Sequence, residues 1–235
     1  MNKLFFEILP REQISQAMTD KMFGIMCEHY ENTYYETFLT DLAKKQYVIA
    51  LYDNETRELE GFSTQEFTRI MYQGQECGVL FSGDTIIDHH YWGSFELPLA
   101  FGKLMLQLID EHPEMPIYWL LISKGARTYK FLPVFFREYF PNLHAETPEE
   151  MKEFMHYLGR WKFGVQYDAS HGIVKASEGG QYLKNNFQPD EGRAQEHVLF
   201  FNKINPGYMH GDELLCLTRF TAQNLTPLIK RLLHV

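Results

Sequence analysis

The chain has 235 residues, 45% of them apolar and 15% aromatic, enough to bury a full core in one large domain or in one domain with an appendage. A formal charge of −9 leaves no basic stripe to neutralise phosphates, which excludes general nucleic-acid binding and is compatible with a cationic or amine substrate. Cys27, Cys77 and Cys216 are scattered and odd in number, so they make neither a disulfide framework nor a Cys-x-x-Cys metal pair, and a reducing cytoplasm is expected.

The opening MNKLFFEILPREQ holds too short an apolar run for a signal peptide. Within it, LFFEIL reads as a strand. A helix is expected from Arg11 to His29, where Ile14, Met18, Met22, Ile25 and Met26 recur on one face. A second helix covers YYETFLTDLAKK. Then QYVIALYD, FSTQEFTRIMY and CGVLFSGDTIID form three strand candidates. The short turns NETRELEG and QGQE between them predict antiparallel hairpins. SFELPLAFGKLMLQLIDEH is a strongly apolar helix closed by Pro113, and Glu96 and Lys103 interrupt it, so no membrane span is expected.

PIYWLLIS reads as a buried strand, and GARTYKFLPVFFREYF as a helix broken near Pro133. TPEEMKEFMHYLG opens with Thr147 as N-cap and Pro148 at the first helical position. GVQYDASHGIVKAS fits a hairpin, and EGGQYLKNNFQPDEGRAQ a polar loop. HVLFFNKI and DELLCLTRF look like two strands around the turn NPGYMHG, followed by the closing helix TAQNLTPLIKRLL.

Strand, tight turn, helix is the order read from FSGDTIIDHHYWGSFELPLAFGKLM, residues 81–105. A helix start carries unpaired N–H groups and the positive end of the dipole, so it suits an anion. Alternation in the strand puts Ser82, Asp84 and Ile86 on one face and Gly83, Thr85 and Ile87 on the other. A carboxylate inside an apolar β run needs a partner or a cleft. Asp84 is therefore a candidate base or amine anchor; the alternatives are that it caps a bulge or pairs with Arg69. His89 and His90 follow at the strand end, where adjacent residues on an extended chain point to opposite sides. No ligand spacing repeats elsewhere to accompany Asp88, His89 and His90, so no metal is expected.

Strand, two helices, three hairpin strands, helix, strand, helix and two late strands is an order that resembles the GNAT (GCN5-related N-acetyltransferase) superfamily, over about residues 1–140 and 196–220. The resemblance implies a mixed α/β fold with a mostly antiparallel sheet flanked by helices. It implies that the sheet splays between the third hairpin strand and PIYWLLIS to admit a thioester arm. Residues 1–235 would form a single domain, with 141–195 an insertion. The family signature Gln/Arg-x-x-Gly-x-Gly/Ala, laid on the turn, falls on Trp92, Gly93, Ser94, Phe95, Glu96 and Leu97. Trp92 replaces the basic or amide residue, while Phe95 and Leu97 replace small ones.

By that resemblance the cosubstrate is an acyl thioester, either acyl-CoA or the acyl-pantetheine of an acyl carrier protein. Ile86, Ile87, Asp88, Trp92, Gly93, Ser94 and Phe95 would hold it, with Lys124 and Arg127 on a phosphate or on the carrier's acidic face. Asp84 or His89 would take the proton of the attacking amine, and Tyr129 would protonate the leaving thiolate, since Phe135 stands at the usual tyrosine position. Ser82, His90, Trp119, Tyr208 and His210 would contact the acceptor, an amine-bearing small molecule or peptide, with Asp212 nearby. Phe101, Met105, Trp119, Phe131, Phe135 and Phe136 would line a tunnel for a long acyl chain. The rival reading is a non-catalytic ligand- or protein-binding domain that keeps the fold.

Overall fold

The computed structural model describes residues 3–177, 179–184 and 195–235. They divide into two compact units, Met1–Ile117 with Leu232–Val235, and Tyr118–Arg231. The fold is mixed α/β, and the strand pairings recorded within each unit are antiparallel.

The first unit holds β1 (Leu4–Pro10), α1 (Gln16–His29), β2 (Tyr30–Glu31), α2 (Tyr35–Leu42), β3 (Tyr47–Asp53), β4 (Leu59–Tyr72), β5 (Gln75–Ile87) and α3 (Glu96–Glu111). Its strands lie in the order β1-β3-β4-β5. The expected first helix starts later than its apolar pattern: Arg11–Gln13 is a separate 3-10 turn, and Ser15 caps α1 by accepting from the Met18 amide at 3.2 Å. The centre of β3, Val48 to Leu51, is apolar and buried because both its faces are covered. Val48 and Ala50 join α1, α2, Phe62 and Ile86 in one buried cluster. Ile49 and Leu51 point the other way and are equally buried, and α3 packs on β1 and β3. β4 and β5 form a long hairpin whose turn residues, Gln73 and Gly74, take φ of 49° and 81°, the left-handed pair that matches strand twist.

The β4–β5 ladder is irregular at one place. Ser63 faces Thr85 and Gln65 faces Ser82, so Gly83 and Asp84 together lie opposite Thr64 alone. This bulge overturns the expected alternation. Ser82 and Thr85, three residues apart, meet the same face of β4. The Ser82 hydroxyl donates to Gln65 Oε1 at 2.7 Å, and Gln65 Nε2 donates to Ser63 Oγ at 2.7 Å. Ser63 and Thr85 share a 2.6 Å hydroxyl bond, and Thr85 reaches the Gly83 carbonyl at 3.4 Å. On the opposite face the buried ammonium of Lys45 lies 2.9 Å from Asp41 and 3.7 Å from Glu66, 5.0 Å from the centre of the Phe81 ring. A β-carbon on Gly83 would fall 2.9 Å from that ammonium and 2.6 Å from Thr64 Oγ1, so glycine makes the room.

The second unit holds β6 (Ile117–Ser123), α4 (Ala126–Tyr129), α5 (Phe131–Phe135), α6 (Glu149–Phe163), β7 (Tyr167–Asp168), β8 (Ile173–Val174), β9 (Tyr182–Leu183), α7 (Gln195–Ile204), β10 (Glu213–Arg219) and α8 (Pro227–Leu233). β10 pairs with β6 on one side and β8 on the other, and β7 and β8 form the expected hairpin. The helix anticipated around Pro133 breaks instead at Lys130, which separates α4 from α5. Pro148, not Thr147, is the N-cap of α6. HVLFFNKI is helical, not a strand. Its burial follows the helical period, with Phe201 buried while Glu196, Leu199 and Lys203 are exposed. A short apolar run fits either structure until a partner surface chooses, and α7 packs on α4. Much of the expected polar loop, residues 185–194, lies outside the described residues.

Gln65→Leu should destabilise the protein by about 1–3 kcal/mol, because it removes the acceptor of Ser82 and the donor to Ser63 inside the sheet. Equilibrium urea unfolding measures it; an unchanged midpoint would show that the hydroxyls re-pair at no cost.

Candidate functional site

The turn between β5 and α3 is built by short-range bonds. Asp88 ends the strand and caps a 3-10 turn, His89–Tyr91, by accepting from the His90 amide at 2.9 Å. That turn corrects the expectation for the two histidines. They do not point apart as on an extended chain; their ring centres are 3.8 Å apart and both Nδ1 atoms face Asp88, at 2.7 Å for His90 and 3.4 Å for His89. Burial raises the Asp88 pKa, but the two bonds from His90 and the charges of both histidines outweigh it and leave it lowered. Tyr91 donates to Asp53 Oδ2 at 2.8 Å, and Trp92 Nε1 donates to the Ile87 carbonyl at 2.9 Å, so the indole is engaged in holding the turn together.

Gly93 takes φ of 87°, where other residues are strained. Ser94 Oγ is buried with no partner among the described residues. α3 starts without a side-chain cap at Phe95, and its first backbone bond runs from the Leu99 amide to the Phe95 carbonyl. The amides of Glu96 and Leu97 therefore have no partner within the helix, and Pro98 has no amide to offer. Phe95 is exposed, whereas Glu96 is buried. An uncapped helix start with an orphan hydroxyl beside it suits an anion, and the Glu96 carboxylate in the same turn opposes one.

Asp84 lies in the bulge, half-buried, one step from the hydroxyl chain. Arg69 stands opposite Gly78, six residues along β5 from Asp84, and its Nη2 binds Glu76 at 2.7 Å. Ile86 is buried in the core cluster, and Ile87 is half-buried and holds Trp92 through its carbonyl.

In the second unit several candidates have other employment. The Lys124 ammonium, expected on a phosphate or on a carrier's acidic face, lies 3.2 Å from Glu213 and 3.3 Å from Gln181 Oε1. Arg127 is exposed on α4. Tyr129 is fully buried; its hydroxyl donates to the Pro141 carbonyl at 3.0 Å, and burial drives its pKa far up. A phenol already donated in the interior does not protonate a thiolate, so Tyr129 is a core residue. Trp119, Phe135 and Phe136 are core as well, with the Trp119 and Phe136 rings 5.7 Å apart, and Phe101 and Met105 are buried on α3. Tyr208 and His210 share a 3-10 turn, with Tyr208 packed on Phe201 at 5.8 Å and His210 exposed. Asp212 accepts from Lys175 Nζ at 2.8 Å and from the Ala176 amide at 3.0 Å.

This unit also has a cavity of about 210 Å³ lined by Ile122, Lys124, Lys175, Gln181 and Glu213 among others; of these, only Lys124 is among the candidates named from the sequence. The polar groups missed in the first unit, Lys45, Ser63, Thr64 and Gln65, had one visible signal. FSTQEF sets four polar residues between two phenylalanines of β4.

No protein-family model matches the chain, and no curated protein matches it. Among solved structures it is similar to N-myristoyltransferase from Saccharomyces cerevisiae with bound myristoyl-CoA, at 9% identity and a TM-score of 0.40, over 53% of this chain and 30% of that one. It is similar to NAA60 from Arabidopsis thaliana in complex with acetyl-CoA, at 15% identity and a TM-score of 0.40, over 57% and 86%. A conserved protein from Enterococcus faecalis, described as a probable N-acyltransferase, has 11% identity and a TM-score of 0.43, over 92% and 66%. A GNAT family N-acetyltransferase from Escherichia coli in complex with CoA has 11% identity and a TM-score of 0.37, over 56% and 68%. The chain thus spans under a third of the length of the yeast enzyme. The description of the Escherichia coli protein names the GNAT family.

The Asp53 carboxyl accepts from the Thr56 amide, the Tyr91 hydroxyl and the Glu55 amide, which hold its pKa down to about 2, while Tyr91 is pushed up to about 12. A lowered carboxylate stabilises the fold above its ordinary pKa, near 4, and that contribution is lost as the pH falls towards 2. In Tyr91→Phe the Asp53 midpoint, read by NMR titration, should rise without reaching the ordinary value, because the two amides remain. A midpoint that does not move would remove Tyr91 from the bonds holding the turn.

Proposed function

We propose that this chain is a GNAT-like N-acyltransferase that moves an acyl group from an acyl thioester to an amine. The observation that carries the reading is the uncapped start of α3, with the unpartnered Ser94 hydroxyl, placed directly after a strand that bulges at Asp84. A bulge re-aims the side chains of a strand, and such irregularities gather beside active sites. The helix start supplies donors for the thioester's phosphate, and Asp84 takes the proton released when the neutral amine attacks the carbonyl.

For the donor we favour an acyl-pantetheine on a carrier protein over free acyl-CoA. The support is chemical: Glu96 in the first turn, Pro98 without an amide, and Trp92 already bonded to Ile87 make a weak cradle for a diphosphate and leave enough for one phosphate. A second reading, a ligand- or protein-binding domain without catalysis, is favoured by Tyr129, whose hydroxyl is unavailable as an acid. A thiolate leaves without one, which keeps the transferase reading ahead.

Asp84→Asn should lower kcat/KM for amine acylation by about 10²-fold or more with the fold intact, in the range of general-base contributions. The assay pairs acyl-CoA and acyl-carrier donors across a chain-length series with an amine panel. Product formation that is equal in wild type and Asp84→Asn removes Asp84 from the chemistry. No product from either donor class, with no thermal shift on adding them, sinks the transferase.

A further inference from the structure

The carboxylate and two imidazoles at the end of β5 converge in a way that the sequence spacing did not suggest. Contiguous residues rarely share a ligand when the chain is extended. The 3-10 turn changes this: it folds His89 and His90 back over Asp88, so that one ligand atom from each of the three lies within 4.8 Å of the others. Donor atoms around a tetrahedral ion with bonds of about 2.0–2.1 Å are roughly 3.3 Å apart, so small side-chain rotations close the set. The turn holds the carboxylate in place, because Asp88 Oδ1 already accepts from the His90 amide, and the indole of Trp92 pins the backbone just behind. The two rings stay largely exposed, with side-chain accessibilities of 57% and 72%, so a hydrated ion reaches them directly.

We propose that Asp88, His89 and His90 form a binding site for a divalent transition cation of the zinc class. Each neutral imidazole, in its Nε2–H tautomer, turns its Nδ1 lone pair to the ion, and Asp88 supplies one oxygen. Two nitrogens and one oxygen suit zinc, cobalt or nickel and not the hard cations, which prefer all-oxygen shells. Three protein ligands leave at least one position open to water or to an anion. The site stands on local geometry and does not depend on the acyltransferase reading.

The test uses the full chain, stripped with chelator and titrated with Zn²⁺ by calorimetry, and with Co²⁺ by visible absorption. One zinc per chain is expected, with a visible Co²⁺ band and no competition from excess Mg²⁺. His89→Ala/His90→Ala should weaken zinc at least 10-fold and abolish the band. Asp88→Asn should also weaken zinc, and the thermal midpoint of the double histidine variant, whose side chains are exposed, should stay unchanged. A second convergence, of His144, Glu196 and His197 in the other unit, serves as the control. Binding that survives His89→Ala/His90→Ala, that is lost in His144→Ala instead, or that is absent up to millimolar zinc overturns the proposal.

Discussion

Across the middle of β4 and β5 runs one chain of hydrogen bonds. Ser82 donates to Gln65 and Gln65 to Ser63, Ser63 and Thr85 share a hydroxyl bond, and Thr85 reaches the carbonyl of Gly83. These bonds pair polar groups buried between the two strands in the bulged register. The register forces two residues of β5 opposite one of β4. Everything downstream follows from that step. It shifts the face of each later β5 residue, leaves Asp84 in the bulge, and delivers Asp88 to the place where the turn begins.

The two faces of the bulge are complementary. The hydroxyl chain takes one, and the Lys45 ammonium with Asp41 and Glu66 takes the other, with Gly83 leaving the space. A buried ion pair is weak evidence for net stability, but removing one partner would strand a charge. The pairing is consistent with a strand whose irregularity is retained and not merely tolerated. Immediately after it, the turn is tied from three directions, by Asp88, by Tyr91 to Asp53 and by Trp92 to Ile87. The start of α3 is thus held firmly while its own amides are left open. Firm framing around unsatisfied donors is what a binding turn needs.

The second unit uses its polar groups internally. Lys124 is paired with Glu213, Asp212 with Lys175, and Tyr129 with a carbonyl. Aromatic side chains that a sequence pattern offers as a tunnel are instead the core, as buried phenylalanines usually are. The chemistry proposed here accordingly rests on the first unit, and chiefly on the neighbourhood of Asp84.

Much was legible from local pattern. The hairpin strands, the apolar α3 and the β7–β8 hairpin all follow from periodicity and turn residues, which act over a few positions. The tight glycine turn before α3 was readable for the same reason. What sequence determined by itself is therefore the kind and order of most elements and the helix start that follows the Gly93 turn. Tertiary structure alone decided the bulge, because register depends on which side chains of β4 meet β5. It decided that HVLFFNKI is a helix, because a short apolar run takes the form its packing surface accepts. The meeting of His89 and His90 on Asp88 is local, made by a single 3-10 turn capped by Asp88 that reverses what an extended chain would set apart.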